Sequence, residues 1–148
     1  VPDFLKAFDN GDTLSIRAPH ALRPWQHVLE PLSGYLLLAE KLFDNGEAFA
    51  SSWNFGPSDE DTKSVEWLVD YLSFRLPGSR WRTVTKKHPH ETMSLKLDSS
   101  KAKNTLGWSP RWNLETALDY TTAWHQSWKE KKDLDQLTTE QILEFIKQ

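Results

Sequence analysis

The 148-residue sequence predicts an α/β fold of mixed helices and short strands. Two patterns support this prediction: apolar residues recur at helical spacing in some segments and alternate with polar residues in others. The two kinds of segment do not alternate regularly enough for a complete doubly wound sheet, so we expect no cofactor-binding sheet. Eight Trp and seven Phe indicate a packed core and exclude a disordered chain.

The first half of the chain contains helix and strand signals separated by Pro, Gly and Asn. A helix is predicted over 2–10, because a first-turn proline and aspartate precede an apolar face and Asn10-Gly11 ends it. Pro19 and Pro24 then predict irregular backbone. Four further elements are predicted: a strand over 13–17, a buried helix over 31–43 closed by Asn45-Gly46, an aromatic strand over 48–55, and a helix from the acidic residues 59–61 to Leu76.

The second half is predicted to contain shorter strands and longer helices. Asp98 or Ser99 can cap a short helix that ends at Gly107. The segment 129–135 has the composition of a linker. The remaining predicted elements are strands over 81–85 and 93–97, a helix over 114–131, and a last helix from Thr138.

Composition excludes several classes of function. The formal net charge of -3 lacks the basic excess of a protein that coats nucleic acid. Without cysteine there is no disulfide, thiolate metal site or thiol nucleophile, which permits a reducing, cytoplasmic setting. The longest apolar run, 35–39, is far shorter than the about 18 residues that cross a bilayer, and no leader opens the chain. We therefore expect no nucleic-acid or membrane partner.

The common nucleotide cradles and catalytic motifs are absent. No two of the six glycines are closer than ten positions, which excludes G-x-G-x-x-G and P-loop motifs. No G-x-S-x-G elbow occurs, and Ser33-Gly34 is interpreted as a small pair that allows close helix packing. Tyr71 and Arg75 have the spacing of an acid-base pair but the wrong cation, so a structural role is expected. His88-Pro89-His90-Glu91 could begin a zinc site, but no second histidine pair completes it, and no metal is expected.

Two basic clusters remain as candidate anion sites. Arginine offers a fixed fork of donors that matches phosphate oxygens, so either cluster suits a small anion such as a diphosphate. An ordinary solvated surface is the alternative interpretation. Trp25 and Trp81 could stack on a base, although most of the tryptophans are expected to pack in the core. The clusters are Arg17, His20, Arg23 and His27, and Arg80, Arg82, Lys86, Lys87, His88 and His90.

A long run supports a specific resemblance. The segment from Ile16 to Leu36, with Arg23-Pro24-Trp25-Gln26-His27-Val28-Leu29-Glu30-Pro31 at its centre, resembles the CDP-glucose 4,6-dehydratases of the extended short-chain dehydrogenase/reductase superfamily. The motifs agree in order through about Trp128. They are Val1-Pro2-Asp3-Phe4, Trp53-Asn54-Phe55-Gly56-Pro57, His90-Glu91, Leu97-Asp98-Ser99-Ser100-Lys101-Ala102, and Leu106-Gly107-Trp108-Ser109-Pro110 with Trp112, of which the last is shared by many sugar-nucleotide enzymes.

The resemblance implies a two-lobed parent protein. Its N-terminal Rossmann lobe would hold NAD, and residues 1–148 would form the C-terminal nucleotide-sugar-binding lobe, 1–128 family-like and 129–148 a linker with a terminal helix. The chain begins without Met, so we expect a fragment that lacks the Rossmann lobe. The parent would be a cytoplasmic, homo-oligomeric lyase that converts CDP-glucose to CDP-4-keto-6-deoxyglucose for deoxysugar and O-antigen (lipopolysaccharide) synthesis.

The resemblance also implies the site. Arg23 would bind the diphosphate of CDP or CDP-glucose. Related epimerases have a second arginine where this chain has Lys87, His88 and His90, which are assigned with it. No Tyr-x-x-x-Lys pair is present, so no catalytic residue is assigned and the chain alone is expected to be inactive. The preceding strand would lie along the base through Leu14, Ser15, Ile16 and Arg17.

Two other interpretations stay open. The chain could be a lobe of a related NAD-dependent nucleotide-sugar dehydratase or epimerase. It could also be a stand-alone binding or scaffold module whose last helix docks a partner through Ile142, Phe145 and Ile146. Burial of that helix face against the same lobe is favoured.

Overall fold

A computed structural model describes residues 1–84 and 92–148. The predicted class of mixed helices and short strands is confirmed. None of the helices in these two ranges is long and apolar enough to cross a bilayer. The helices are α1 (Pro2–Asn10), α2 (Leu29–Phe49), α3 (Val65–Arg75), α4 (Leu114–Lys129) and α5 (Leu134–Ile146), and the strands are β1 (Thr13–Ile16), β2 (Leu22–Pro24), β3 (Thr62–Ser64) and β4 (Arg80–Thr83).

The strands form two small pairs. β1 lies parallel to β4, with Ser15 opposite Arg82. β2 lies antiparallel to β3, with Arg23 opposite Lys63. One isolated bridge joins Leu22 to Ser94, so the strand predicted over 93–97 is reduced to a single pairing. The prediction of irregular backbone through Pro24 is wrong, because residues 22–24 form strand β2. Pro24 is the last residue of the strand, a position where a proline without an N–H is tolerated.

Two clusters of buried side chains form the core. The larger one joins α1, β1, α3 and the start of α4, and consists of Phe4, Ile16, Leu68, Val69, Leu72, Leu76, Leu114 and Leu118. The smaller one consists of Phe55, Ala102, Leu106 and Trp108, with α2 packed beside it. Ser33 and Gly34 confirm the expected close packing. Trp108 donates its indole N–H to Ser33 Oγ at 3.0 Å, and a Cβ on Gly34 would collide with the Phe55 ring.

Helix boundaries follow local capping chemistry. Gly11, in the left-handed region at φ 70, ends α1 as predicted. Ser64 caps α3 by accepting from the Trp67 N–H, so α3 begins after the acidic residues 59–61 rather than with them. Asp133 accepts from the Asp135 and Gln136 N–H groups. α5 therefore begins at Leu134, before the predicted start at Thr138, and shortens the linker.

Helix α2 differs most from prediction. It continues past Asn45, which has a non-helical φ of -152, to Phe49. The aromatic strand predicted over 48–55 is wrong: its first two residues are helical, and within the described ranges no strand pairs with the rest. A strand needs a partner edge to satisfy its N–H and C=O groups, and the described chain provides none there.

The apolar side of α2 is exposed, contrary to the expected buried helix. Phe43 is 92% exposed and Leu36 74% exposed, whereas the buried residues of the helix are Glu30 and Gly34. We call the exposed set the α2 face. It consists of Leu32, Tyr35, Leu36, Leu42 and Phe43.

Helix α5 is partly buried against the same chain. Phe145 is buried against the ring of Trp112, with centroids 5.0 Å apart. Ile146 is 62% exposed and Ile142 38% exposed. The favoured burial of this face is therefore confirmed for Phe145 and wrong for Ile142 and Ile146.

Candidate functional site

A hollow of about 510 Å³ lies between the start of α1, strands β1 and β2, and helix α3. Five of the residues assigned to the substrate site line it: Leu14, Ser15, Ile16, Arg17 and Arg23. The two arginines are the only Lys or Arg side chains that line it within the described ranges. We call this hollow the arginine pocket.

The Arg23 guanidinium is held at the pocket by backbone carbonyls. Its Nη1 donates to the carbonyl of Leu22 at 2.8 Å and to that of Thr92 at 3.0 Å. Trp25, two residues on, donates its indole N–H to the Lys63 carbonyl at 3.0 Å. Arginine has five N–H donors, so these bonds orient the head and leave Nε and Nη2 without a partner among the described residues.

The β1 side of the pocket is polar at its rim. Ile16 is buried in the larger core and fixes the strand, while Ser15 and Arg17 are exposed. Arg82 on the neighbouring strand donates to Ser15 Oγ at 3.4 Å. Arg17 makes no hydrogen bond or ion pair with the described residues, so its charge is available to a ligand.

The fold separates the first basic cluster. His20 Nδ1 lies 3.2 Å from Glu66 Oε2, so it faces a carboxylate rather than the pocket. His27 lines a different cavity, and burial lowers the pKa of its imidazole. Its Nδ1 accepts from the Leu29 N–H at 3.3 Å. The arginine pocket therefore keeps Arg17 and Arg23 from this cluster and loses both histidines.

The second basic cluster is only partly described. Arg80 donates to the Gly11 carbonyl, away from the arginine pocket. Lys86 and the three assigned residues Lys87, His88 and His90 lie outside the described residues. Described residues on either side contact the pocket strands. The Val84 N–H donates to the Ile16 carbonyl at 2.8 Å, and the Thr92 carbonyl accepts from Arg23.

A larger cavity of about 640 Å³ lies between α1, α4 and α5. No Lys or Arg from the described ranges lines it. Its walls are mainly apolar, and Trp25 lines both hollows. A diphosphate needs charged donors, so the smaller pocket is the better anion site.

Three carboxylates have roles that the sequence patterns did not indicate. Asp3 is the only Asp or Glu of the described chain that lines the arginine pocket. Asp61 was expected on a solvated helix start, but it is buried and accepts from the Leu114 N–H at 2.8 Å, at the first residue of α4. Glu30 is fully buried and accepts from the N–H groups of Arg111 and Trp112. These partners are distant in sequence, and no local pattern could have found them.

Gly34 and Gly56 do not form phosphate cradles. At each of them the space that a Cβ would occupy is filled by a side chain, that of Phe55 or that of Leu97. Tyr71 and Arg75 both bond Asp119, at 2.9 and 2.7 Å, which confirms their structural role between α3 and α4. No group of three His, Asp or Glu within residues 1–84 and 92–148 could hold a metal ion.

Comparison with known proteins agrees with the motifs. No family model matches the chain. Over 147 residues the chain is 43% identical to CDP-glucose 4,6-dehydratase of Salmonella typhimurium. The resemblance to the CDP-glucose 4,6-dehydratases is confirmed. The match covers 99% of this chain, and so includes the arginine pocket and α5, but only 41% of the Salmonella dehydratase.

Proposed function

We propose that this chain is the substrate-binding lobe of a CDP-glucose 4,6-dehydratase and binds the cytidine and diphosphate of CDP-glucose in the arginine pocket. The observation that carries the proposal is the convergence of Arg17, Arg23 and strand β1 on one hollow of about 510 Å³. This volume lies in the usual range for small-molecule sites, about 300–1,000 Å³.

The electrostatics of the pocket suit a diphosphate. Arg23 presents Nε and Nη2 from a guanidinium already fixed by the Leu22 and Thr92 carbonyls. Binding therefore loses little side-chain freedom at this residue. Charge-assisted bonds from guanidinium to phosphate oxygens are about twice as strong as neutral ones. Lys87, His88 and His90 are proposed to add donors, supported by the attachment of Val84 and Thr92 to the pocket strands.

The same proposal assigns the rest of the reaction to a second lobe. In the whole enzyme, NAD would oxidise the sugar at C4, after which water is eliminated across C5 and C6 and the hydride returns to C6. The sequence lacks the glycine-rich dinucleotide motif, so we expect the cofactor on a Rossmann lobe. The whole protein would be a homo-oligomeric, cytoplasmic lyase of deoxysugar and lipopolysaccharide synthesis, and this chain alone would show no turnover.

The α2 face supports a missing lobe. Five large apolar side chains on one helix, with Phe43 92% exposed, form the kind of surface that soluble proteins bury against a partner. The chain spans about two-fifths of the length of the Salmonella dehydratase, so the Rossmann lobe is the partner that this face would contact.

Calorimetric titration with CDP tests the proposed site. Arg23→Gln and, separately, Arg17→Gln should each weaken CDP binding by about tenfold, because each removes a charged donor. Lys103→Gln removes one positive charge on an exposed residue that does not line the pocket and should leave binding unchanged. Arg17 bonds no described residue, so its variant separates ligand binding from any folding defect at Arg23.

Two results would refute the proposal. One is the absence of CDP binding by the folded wild-type chain, or binding that neither arginine variant weakens. The other is NADH-linked turnover of CDP-glucose by the isolated chain.

A further inference from the structure

The arginine pocket contains a carboxylate that the diphosphate does not need. Asp3 lies in the first turn of α1 and lines the pocket together with Phe4 and strand β1. A carboxylate repels phosphate, so in a hollow that it shares with Arg17 and Arg23 it suits a hydrogen-bond donor elsewhere on the ligand. In a nucleoside diphosphate, such donors are on the base and the ribose.

Asp3 places a negative charge in the first turn of α1, which favours the helix start, but makes no hydrogen bond there. Helix α1 has no side-chain cap hydrogen bond, and the Asp3 carboxylate accepts no hydrogen bond from the described residues. Its neighbour Phe4 is 3% exposed and holds the helix start against the core, so Asp3 is carried on a fixed element.

The chemistry of the bases decides which donor fits. Cytosine carries an N4 amino group that donates to carboxylates, whereas uracil carries an oxygen acceptor at the same position. A carboxylate facing this position attracts cytosine and repels uracil. We propose, on the basis of the proposed substrate site, that Asp3 accepts a hydrogen bond from cytosine N4 and makes the pocket prefer CDP to UDP.

The test is a titration of the full chain with CDP and with UDP, for the wild type and for Asp3→Asn. The wild type should bind CDP about tenfold more tightly than UDP, because UDP places an oxygen against the carboxylate. Asp3→Asn should lose most of this ratio, since an amide can donate to uracil as well as accept from cytosine. Asp12→Asn is the matched control: the residue is exposed, follows α1 and does not line the pocket, so the ratio should not change.

The outcomes separate this inference from the proposed function. Equal binding of CDP and UDP by the wild type, or an unchanged ratio in Asp3→Asn, overturns the role of Asp3 and leaves the diphosphate site intact. A parallel loss of both nucleotides in Asp3→Asn also overturns it, because that result places the carboxylate on the ribose. Failure of the wild type to bind either nucleotide overturns the substrate site itself and the inference with it.

Discussion

Removal of the Glu30 carboxylate should strongly destabilise the chain. Glu30 is fully buried at the start of α2. Its Oε1 accepts from the Trp112 N–H at 2.8 Å, and both oxygens accept from the Arg111 N–H, at 3.1 and 3.0 Å. Glu30→Ala leaves both N–H groups without this acceptor, and each unsatisfied buried donor costs about 1–3 kcal/mol.

The size of the effect follows from these two donors. The two unsatisfied donors and the one lost methylene together cost about 3–7 kcal/mol. Part of this cost is offset because the variant no longer desolvates a buried carboxylate. The expected net loss is about 3 kcal/mol, or roughly 6–12 °C in melting temperature for a domain of this size. Urea unfolding at pH 7 measures it, and Glu47→Gln, on an exposed residue of α2, is the control.

Glu30→Gln distinguishes the hydrogen bonds from the charge. Burial raises the pKa of Glu30, and the bonds from Trp112 and Arg111 only partly counter it. The fold therefore favours the neutral form, and stability falls as the pH rises from the unfolded pKa, about 4.3, through the higher folded pKa. A neutral amide that keeps one oxygen should cost about 1 kcal/mol or less. A Gln variant as unstable as the Ala variant would refute this reasoning.

Two further predictions concern α1 and the α2 face. Burial raises the pKa of Asp9, but hydrogen bonds from Lys129 and His125 outweigh burial, so the folded pKa is lowered. Ionised Asp9 therefore stabilises the fold above the unfolded pKa, about 3.9, and this stabilisation is lost as the pH falls through the lower folded pKa. The stability difference between wild type and Asp9→Asn should therefore shrink from pH 7 to pH 3 in urea unfolding, and a constant difference would contradict it. Phe43→Glu should leave the unfolding midpoint unchanged, because the ring is 92% exposed. The same variant should no longer co-sediment with a separately produced NAD-binding lobe. Phe74→Glu, 76% exposed on α3, is the control, and equal binding by both variants would remove the α2 face from the interface.

Elements bounded by local signals could be predicted from the sequence, whereas contacts between distant residues could not. Helix α1 is bounded by Pro2 and by Gly11 in the left-handed region, signals that depend on nearby residues alone. Strand β1 also lies where the alternation of apolar and polar residues predicted it. By contrast, Glu30 bonds the N–H of Trp112 and Asp61 that of Leu114, contacts that only the assembled fold creates. The apolar spacing of α2 predicted the helix correctly and its burial wrongly, because spacing does not say which partner covers a helix.

The distribution of the two cores bears on what the isolated chain can do. The arginine pocket is built on the larger core: Phe4, Ile16 and Val69 line it and belong to that cluster. The unpaired segment after α2 packs with the smaller core through Phe55, beside the exposed α2 face. The exposed α2 face is thus next to the smaller core, whereas the walls of the arginine pocket pack against the larger core of this chain. Nucleotide binding by this chain should therefore survive without the second lobe, whereas turnover should not, and this difference makes the CDP titration a fair test of the proposed site.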